Sequence, residues 1–418
     1  MVQLSKDVFS TSDKPMHLDA AVALIMSRVP AVVASETAAL FAAQGRYLAE
    51  PLVAPIDLPV FDNAAVDGYA VRWQDLNHDH ETRMPIAARI PAGHELDELV
   101  PAGSALRIFT GAAVPEGFDT IFMQEDCKLL GDGHVLLPAG LAQGANFRPR
   151  GEDLASGDVA LPAGRCLMPE DIALAAALGV PELAVRRRLK AAIFSTGDEI
   201  TSPGTPLGPA AVYDANRFML YAMLQRLGLE VADLGILPDN RAATRKALAA
   251  ASEAHDLVLT SGGVSMGEED HVKASIAELG SLSFWKLAIK PGRPVAMGIL
   301  QGTPFIGLPG NPVAVFICFA ALVRPLIAAL NGAVAEPLQR QRVLAGFSAK
   351  KKEGRREYVR ATLRTDQAGA VFADKYAIQG SGAITSLTRT QGLVELAEDV
   401  TKIAPGDPVS FIDYALIR

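Results

Sequence analysis

Apolar and polar positions alternate in three different ways along this chain. From Leu18 to Leu48 the segments LDAAVALIMSRV and SETAALFAAQGRYLAE, separated by Pro30, have helical spacing and predict an amphipathic helical hairpin. Between Pro51 and Leu161 the texture changes to short β-type runs broken by turns. The tripeptide PAG recurs at Pro91, Pro101, Pro138 and Pro162 with unequal spacing, which marks turns and not a structural repeat. After VRRRLK the pattern becomes strand, loop, helix. AAIFS, LEVADLG, DLVLT, PVAMGIL and TPFIGL read as strands, and NRFMLYAMLQRLG and RAATRKALAAASEA as helices. Further helices are expected from about Asp270 and from Pro312. This order predicts a mostly parallel sheet flanked by helices, whose ligands sit at the carboxyl ends of the strands. From about Glu336 to Arg418 β texture returns, with EYVRATL alternating in period two, as in a small barrel or sandwich.

Composition narrows the classes. At 418 residues the chain exceeds a single core, and roughly 150 residues per domain suggests about three domains. Half of it is hydrophobic, and its 36 glycines and 27 prolines stay below the roughly 25–30% combined share of disordered chains. A formal charge of −8 argues against nucleic acid as a partner, because phosphate backbones demand a basic face. Three scattered cysteines, Cys127, Cys166 and Cys318, lack metal-ligand spacing and fit a reducing cytosol. The polar start MVQLSKDVFSTSDKP has no apolar signal region, so a cytoplasmic location is expected. The apolar run PVAVFICFAALV stops at Arg324, short of the ~20 residues that span a bilayer, and is expected to be a buried helix with no membrane role.

Three loops follow strands in the α/β segment: STGDEI (Ser195 to Ile200), TSGGVSMGEED and GLPGNPV (Gly307 to Val313). Glycine turns after buried strands let main-chain N–H groups approach anionic oxygens. In the third loop, Asn311 is the expected N-cap and Pro312 the first helical residue, leaving free N–H groups to face the crevice. None of the three is a GxxxxGK[ST] or GxGxxG loop, which removes support for NTPase and dehydrogenase readings. Glu199, Asp239 and Asp270 all fall just past strand ends; convergent carboxylates of this kind hold Mg²⁺, while helix capping is the plainer alternative. In FWKLAIKPGRPVAMG, an extended WKLAIK would put Lys286 and Lys290 on one face, near Arg293, to suit an anion; a solvated edge strand is the alternative. In the β-rich part, Asp67–Gly68 within FDNAAVDGYAVR reads as a hairpin turn, Thr110 and Gly111 as another turn, and ANFRPRGEDL groups Arg148, Arg150 and Asp153. His78 and His80 in NHDH read as a solvated loop, and KKKEGRREYVR as a basic surface.

The segments DNAAVDGYAVR, RIFTGAAVPEG, RPRGEDL, FSTGDEI, TSGGVSMGEED, AIKPGRP and GLPGNPVA occur in this order over most of the chain. Together they resemble the molybdopterin molybdenumtransferase family, the MoeA-like proteins related to the E domain of gephyrin. The family's usual serine and methionine in the first segment are Ala64 and Val66 here, while Asp67 is retained. The resemblance implies a multidomain α/β protein with four parts. These are a discontinuous N-terminal helical and linker domain (1–58 and 151–187), a β-rich insertion (59–150), an α/β molybdopterin-binding domain (188–335) and a C-terminal β-barrel (336–418). It implies insertion of molybdenum, from molybdate, into adenylylated molybdopterin with Mg²⁺ and release of AMP, by a cytoplasmic homodimer that can also contact the molybdopterin adenylyltransferase.

In that family the cleft lies between the α/β domain of one subunit and the β-rich domain of the other. Matching segments assign catalysis to Asp67, Glu199, Asp239, Asp270, Lys286 and Lys290, with Glu199, Asp239 and Asp270 as metal ligands. Binding of the pterin and its phosphates falls to Thr110, Arg148, Asp153, Ser195, Thr196, Gly197, Ser261, Gly262, Gly263, Ser265, Arg293, Pro309, Gly310, Asn311 and Ser381. Competing readings are a non-catalytic molybdopterin-binding or scaffold paralogue, and another enzyme on the same α/β core, the adenylyltransferase or a CinA-like protein. The last two lack the segment around DNAAVDGYA, which this chain has.

Overall fold

The computed structural model describes residues 3–10, 15–96, 98–237, 240–262, 271–292 and 294–417. At its centre is a six-stranded sheet built from β1 (Lys190–Ser195), β2 (Glu230–Ile236), β3 (Leu257–Ser261), β4 (Gly280–Trp285), β5 (Val295–Leu300) and β6 (Thr303–Leu308). Their order across the sheet is β2-β1-β3-β6-β5-β4. The first four run parallel, while β5 is antiparallel to both β6 and β4. Strand β4 was not legible in the sequence, because GSLSFW is half-buried along most of its length and carries no strong apolar alternation.

Helices cover both faces: α1 (Asn216–Arg226), α2 (Arg241–Ala254), α3 (His271–Leu279) and α4 (Pro312–Leu330). Burial on two sides explains the unbroken apolar runs of β1, β3, β5 and β6. Within β1 successive side chains serve opposite cores. Ile193 joins Leu259, Ile306 and Phe316 under α4, and Phe194 joins Val258, Phe305, Leu248 and Ile276 under α2 and α3. Asn240 caps α2 by accepting from the N–H groups of Ala242 and Ala243 at 3.0 and 3.1 Å.

The apolar run from Pro312 does not end at Arg324. It continues to Leu330, through a wider π-type turn at Phe319–Val323 that sits ahead of Pro325, a residue with no N–H to give an ordinary helical bond. By length and composition this helix could cross a membrane, but 89% of its most apolar window is buried inside the fold. It is a core helix.

The expected helical hairpin is only half present. Leu18–Arg28 is helical, but Ser35–Ala39 is a strand paired antiparallel with Glu182–Arg186, followed by a four-residue helix, Leu40–Ala43. The distant strand supplies hydrogen bonds that local helical preference cannot match. The β-rich part forms a second six-stranded sheet, in the order Thr120–Met123, Gly68–Val71, Ala105–Ile108, Thr82–Ile90, His134–Leu137, Lys128–Leu129. Here Asp67–Gly68 is not a hairpin turn. Gly68 opens a strand with neighbours on both sides, and a methyl group on it would lie 1.7 Å from the Phe122 carbonyl oxygen.

The C-terminal part is a closed barrel. Arg356–Thr365, Val371–Lys375, Gln341–Ala345, Pro408–Asp413 and Gly392–Leu396 pair in sequence, and the last returns to the first. The three cysteines are free thiols, as the sequence leads one to expect.

Strand β1 is anchored at its start by a buried charge. Asp256, whose side chain is 1% exposed, accepts from both terminal nitrogens of Arg187 at 2.7 Å and from the Lys190 N–H at 2.9 Å. Removing one member of such a pair strands the other. Asp256→Ala is therefore expected to destabilise the fold by about 3 kcal/mol or more, measured by urea unfolding against the parent protein.

Candidate functional site

The register of the central sheet brings five loops to one edge. Ser195 is level with Ile236 and with Ser261, and Ser261 is level with Leu308. Across the antiparallel strands Gly307 opposes Ala296, and Val295 opposes Trp285. Chain therefore leaves this edge after β1, β2, β3 and β6 and between β4 and β5. These connections contain Thr196–Glu199, 237–240, Gly262 onward, Pro309–Asn311 and 286–292.

The loops meet through main chain. Gly262, at φ +80, donates to the Leu308 carbonyl at 3.0 Å, and a methyl group on it would be 3.5 Å from the Thr196 carbonyl. A methyl group on Gly310 would be 3.9 Å from the Gly262 Cα. Gly197 has φ +133, and a methyl group there would be 2.5 Å from Glu199 Oε2, so the carboxylate rests directly on a glycine backbone. Ser381 reaches the same edge from the barrel: its carbonyl accepts the Val313 N–H at 3.0 Å, and Gly382 lies beside Asn311 Oδ1.

That contact corrects one expectation. Asn311 occupies the N-cap position of α4, but its side chain makes no capping bond, and the Val313 amide is taken by Ser381 instead of opening into a crevice. The backbone of the barrel does what the asparagine side chain was expected to do.

Unsatisfied polarity also gathers here. Ser195 Oγ, Thr196 Oγ1, Thr260 Oγ1 and Asn216 Oδ1 are buried with no hydrogen-bond partner among the described residues. Each such group costs about 1–3 kcal/mol, so their concentration at one edge points to a ligand-binding role for it. The sequence reading missed Asn216. Its Nδ2 donates to the Gly310 carbonyl at 2.7 Å, which ties α1 to the loop before α4. A polar residue opening a helix that immediately follows a strand-end loop was the available signal.

The lysines depart from the simple picture of an extended strand. Leu287, Ala288 and Ile289 are all buried, so WKLAIK does not alternate as one strand. Trp285 ends β4, whereas Ile289–Lys290 pairs in parallel with Arg356 and Glu357 of the barrel. Lys290 Nζ lies 3.3 Å from Glu357 Oε2, and its side chain stays 56% exposed. Lys286 is half-buried, and its carbonyl accepts the Met16 N–H at 2.9 Å. Asp239, Gly263, Ser265, Asp270 and Arg293 lie outside the described residues, as do Glu268 and Glu269 of the same acidic run.

The β-rich residues form a separate group. The Asp67 carboxylate accepts from both the N–H and the hydroxyl of Thr110 at 2.8 Å, and these bonds hold its pKa below the usual carboxylate value. Arg148 pairs through its main chain with Asn63, and the Asp153 N–H donates to Leu58. Among the described residues the hydrogen bonds of these four stay within their own part of the chain, and none ties this group to the sheet edge.

Residues 16–179 match the MoeA N-terminal region (domains I and II), 192–329 a probable molybdopterin-binding domain, and 342–414 the MoeA C-terminal region (domain IV). The chain is 39% identical over 402 residues to a molybdopterin molybdenumtransferase of Haemophilus influenzae, covering 94% of this chain and 98% of that one. It is 36% identical to molybdopterin molybdenumtransferase 2 of Mycobacterium tuberculosis, covering 90% and 94%. A crystal structure of the molybdopterin biosynthesis moeA protein from Pyrococcus horikoshii superposes with a TM-score of 0.80 at 28% identity, covering 96% of this chain and all of that one. These matches define the class as a MoeA-type protein with its α/β, β-rich and barrel parts in the same chain order. The chain belongs to the molybdopterin molybdenumtransferase family.

Because the Thr110 bonds favour the ionised form of Asp67, Thr110→Val is expected to raise the Asp67 pKa toward the ordinary carboxylate range, as read by carboxyl-carbon NMR titration. The sign follows from the depressed folded-state value. Any stabilisation from the pair is complete above the usual carboxylate pKa and fades as pH falls through the lowered one.

Proposed function

We propose that this transferase of molybdenum cofactor biosynthesis inserts molybdenum from molybdate into adenylylated molybdopterin and releases AMP. The observation that carries this reading is the sheet edge at which close-packed glycine backbone, four unpaired buried polar atoms and the Glu199 carboxylate meet. Ser195, Thr196, Ser261 and the glycines at 197, 262 and 310 would hold the pterin and its phosphates. Ser381 and Asn311 would close the end nearest the barrel.

A divalent ion suits the donors present. Glu199 and the unpaired Ser195 and Thr196 hydroxyls are hard oxygen donors of the kind Mg²⁺ takes. Glu199, with Asp239 and Asp270, would hold it. When bound there, such an ion would supply charge withdrawal from the substrate's phosphates and so favour AMP as a leaving group. Lys286, Lys290 and Arg148 would attract molybdate, a compact anion. The dithiolene thiols of the substrate would take up the metal with loss of molybdate oxide as water, and water would attack the phosphoanhydride as AMP leaves, so the protein needs no nucleophile of its own.

In a homodimer the β-rich sheet of one copy would face the strand-end edge of the other, bringing the Asp67–Thr110 pair, Arg148 and Asp153 to the cleft. The substrate would come from the adenylyltransferase in the cytoplasm. Incubating the protein with adenylylated molybdopterin, molybdate and Mg²⁺ is expected to produce AMP, followed chromatographically. Asp270→Ala is expected to reduce AMP release by about 100-fold or more. No AMP from the parent protein would overturn the reading, and an unimpaired D270A variant would remove the role given to that acid.

A further inference from the structure

A cavity of about 580 Å³ lies away from the strand-end edge, where the N-terminal helix, the second half of α4, the turn at 164–168, the linker at 334–338 and the barrel meet. Its size is that of a small-molecule site. Much of its wall is apolar, including Leu18, Val22, Ile317, Ala321, Leu393 and Ile412.

Four arginines also line it, and three are compensated. Arg165 pairs with Asp171 at 2.8 Å and Arg340 with Glu395 at 2.8 Å. Arg356 bonds to Asp19 at 2.8 and 3.0 Å and to Glu398 at 3.0 Å. Arg324 differs: among the described residues it has neither a hydrogen bond nor an ion pair within 4 Å. It is half-buried in α4, and burial pulls its pKa below the usual arginine value, partly offset by Glu336 on the exposed linker. Tyr47, which lines the same wall, is kept protonated because burial raises its pKa, and it can share its proton with an incoming acceptor.

Glu336 lines the same cavity but does not bond to Arg324; a half-buried guanidinium with no bonded partner is unfavourable, and a planar carboxylate is its natural complement. We propose that this cavity is a second ligand site, taking a small amphipathic carboxylate whose charged end binds Arg324 and whose apolar body lies against Leu18, Val22, Ile317 and Ala321. Such a ligand would bridge the N-terminal helix and α4, which are distant in sequence. The proposal does not depend on the chemistry assigned to the strand-end edge.

The test uses the full chain with octanoate as probe and octanol as its uncharged counterpart, followed by calorimetry and thermal unfolding. Octanoate is expected to bind and raise the melting temperature, with octanol about tenfold or more weaker. Arg324→Met removes the charge while keeping the side chain's bulk. It is expected to raise the melting temperature of the ligand-free protein and to abolish the preference for octanoate. Ala321→Phe fills the cavity from another wall and is expected to block octanoate while the protein remains folded. The proposal is overturned if octanoate does not bind the parent protein, if octanol binds equally well, or if A321F binds octanoate unchanged. It is also overturned if Arg324→Met lowers ligand-free stability and leaves the octanoate response intact, which is the behaviour of a structural arginine.

Discussion

The level ending of β1, β3 and β6 is the constraint on which the rest depends. The parallel bonds that set Ser195 beside Ser261, and Ser261 beside Leu308, also decide which side chains enter each core. A slip of one residue would turn Ile193 and Phe194 to the wrong faces while moving the glycine loops out of line. Core packing and site geometry are thus fixed by a single set of main-chain hydrogen bonds. The reversed strand β5 and its neighbour β4 extend the same edge far enough to include the loop that carries Lys286 and Lys290.

At that edge the usual main-chain donors are partly committed. The Gly262 amide bonds to Leu308, and the first free amide of α4 bonds to Ser381. Unmet hydrogen-bonding capacity passes to side chains, namely the Ser195, Thr196 and Thr260 hydroxyls and Asn216 Oδ1. The edge is therefore better described as a polar floor under close-packed glycines than as an open helix terminus. The barrel completes it, because without residue 381 the start of α4 would have an exposed donor.

Much of this was legible in the chain. The helix at Arg241–Ala254, the strand at Leu257–Ser261 and the helix starting at Pro312 follow from strong periodicity or uninterrupted apolar runs, signals that burial on one or two faces imposes directly. The failures fall where partners far away in sequence decide. SETAA became a strand because ELAVR lies beside it, and Asp67–Gly68 became a strand entry because Phe122 approaches too closely for any side chain at position 68. Asn311 looked like a cap until residue 381 arrived from the barrel. Asn216 was overlooked because its importance comes from its neighbour Gly310, almost a hundred positions on. Local sequence describes what a segment prefers; it does not contain the identity of the segment that will lie against it.

The short pairing of Ile289–Lys290 with Arg356 and Glu357 is a strap from the central sheet onto the barrel wall. Because Lys290 also meets Glu357 through its side chain, the lysine is tied to the barrel by backbone and side chain together. Any tilt of the barrel relative to the sheet would pull on this ammonium group and on the carbonyl at 381 together. The position of the C-terminal body thereby helps to set where this lysine and the start of α4 stand at the polar edge.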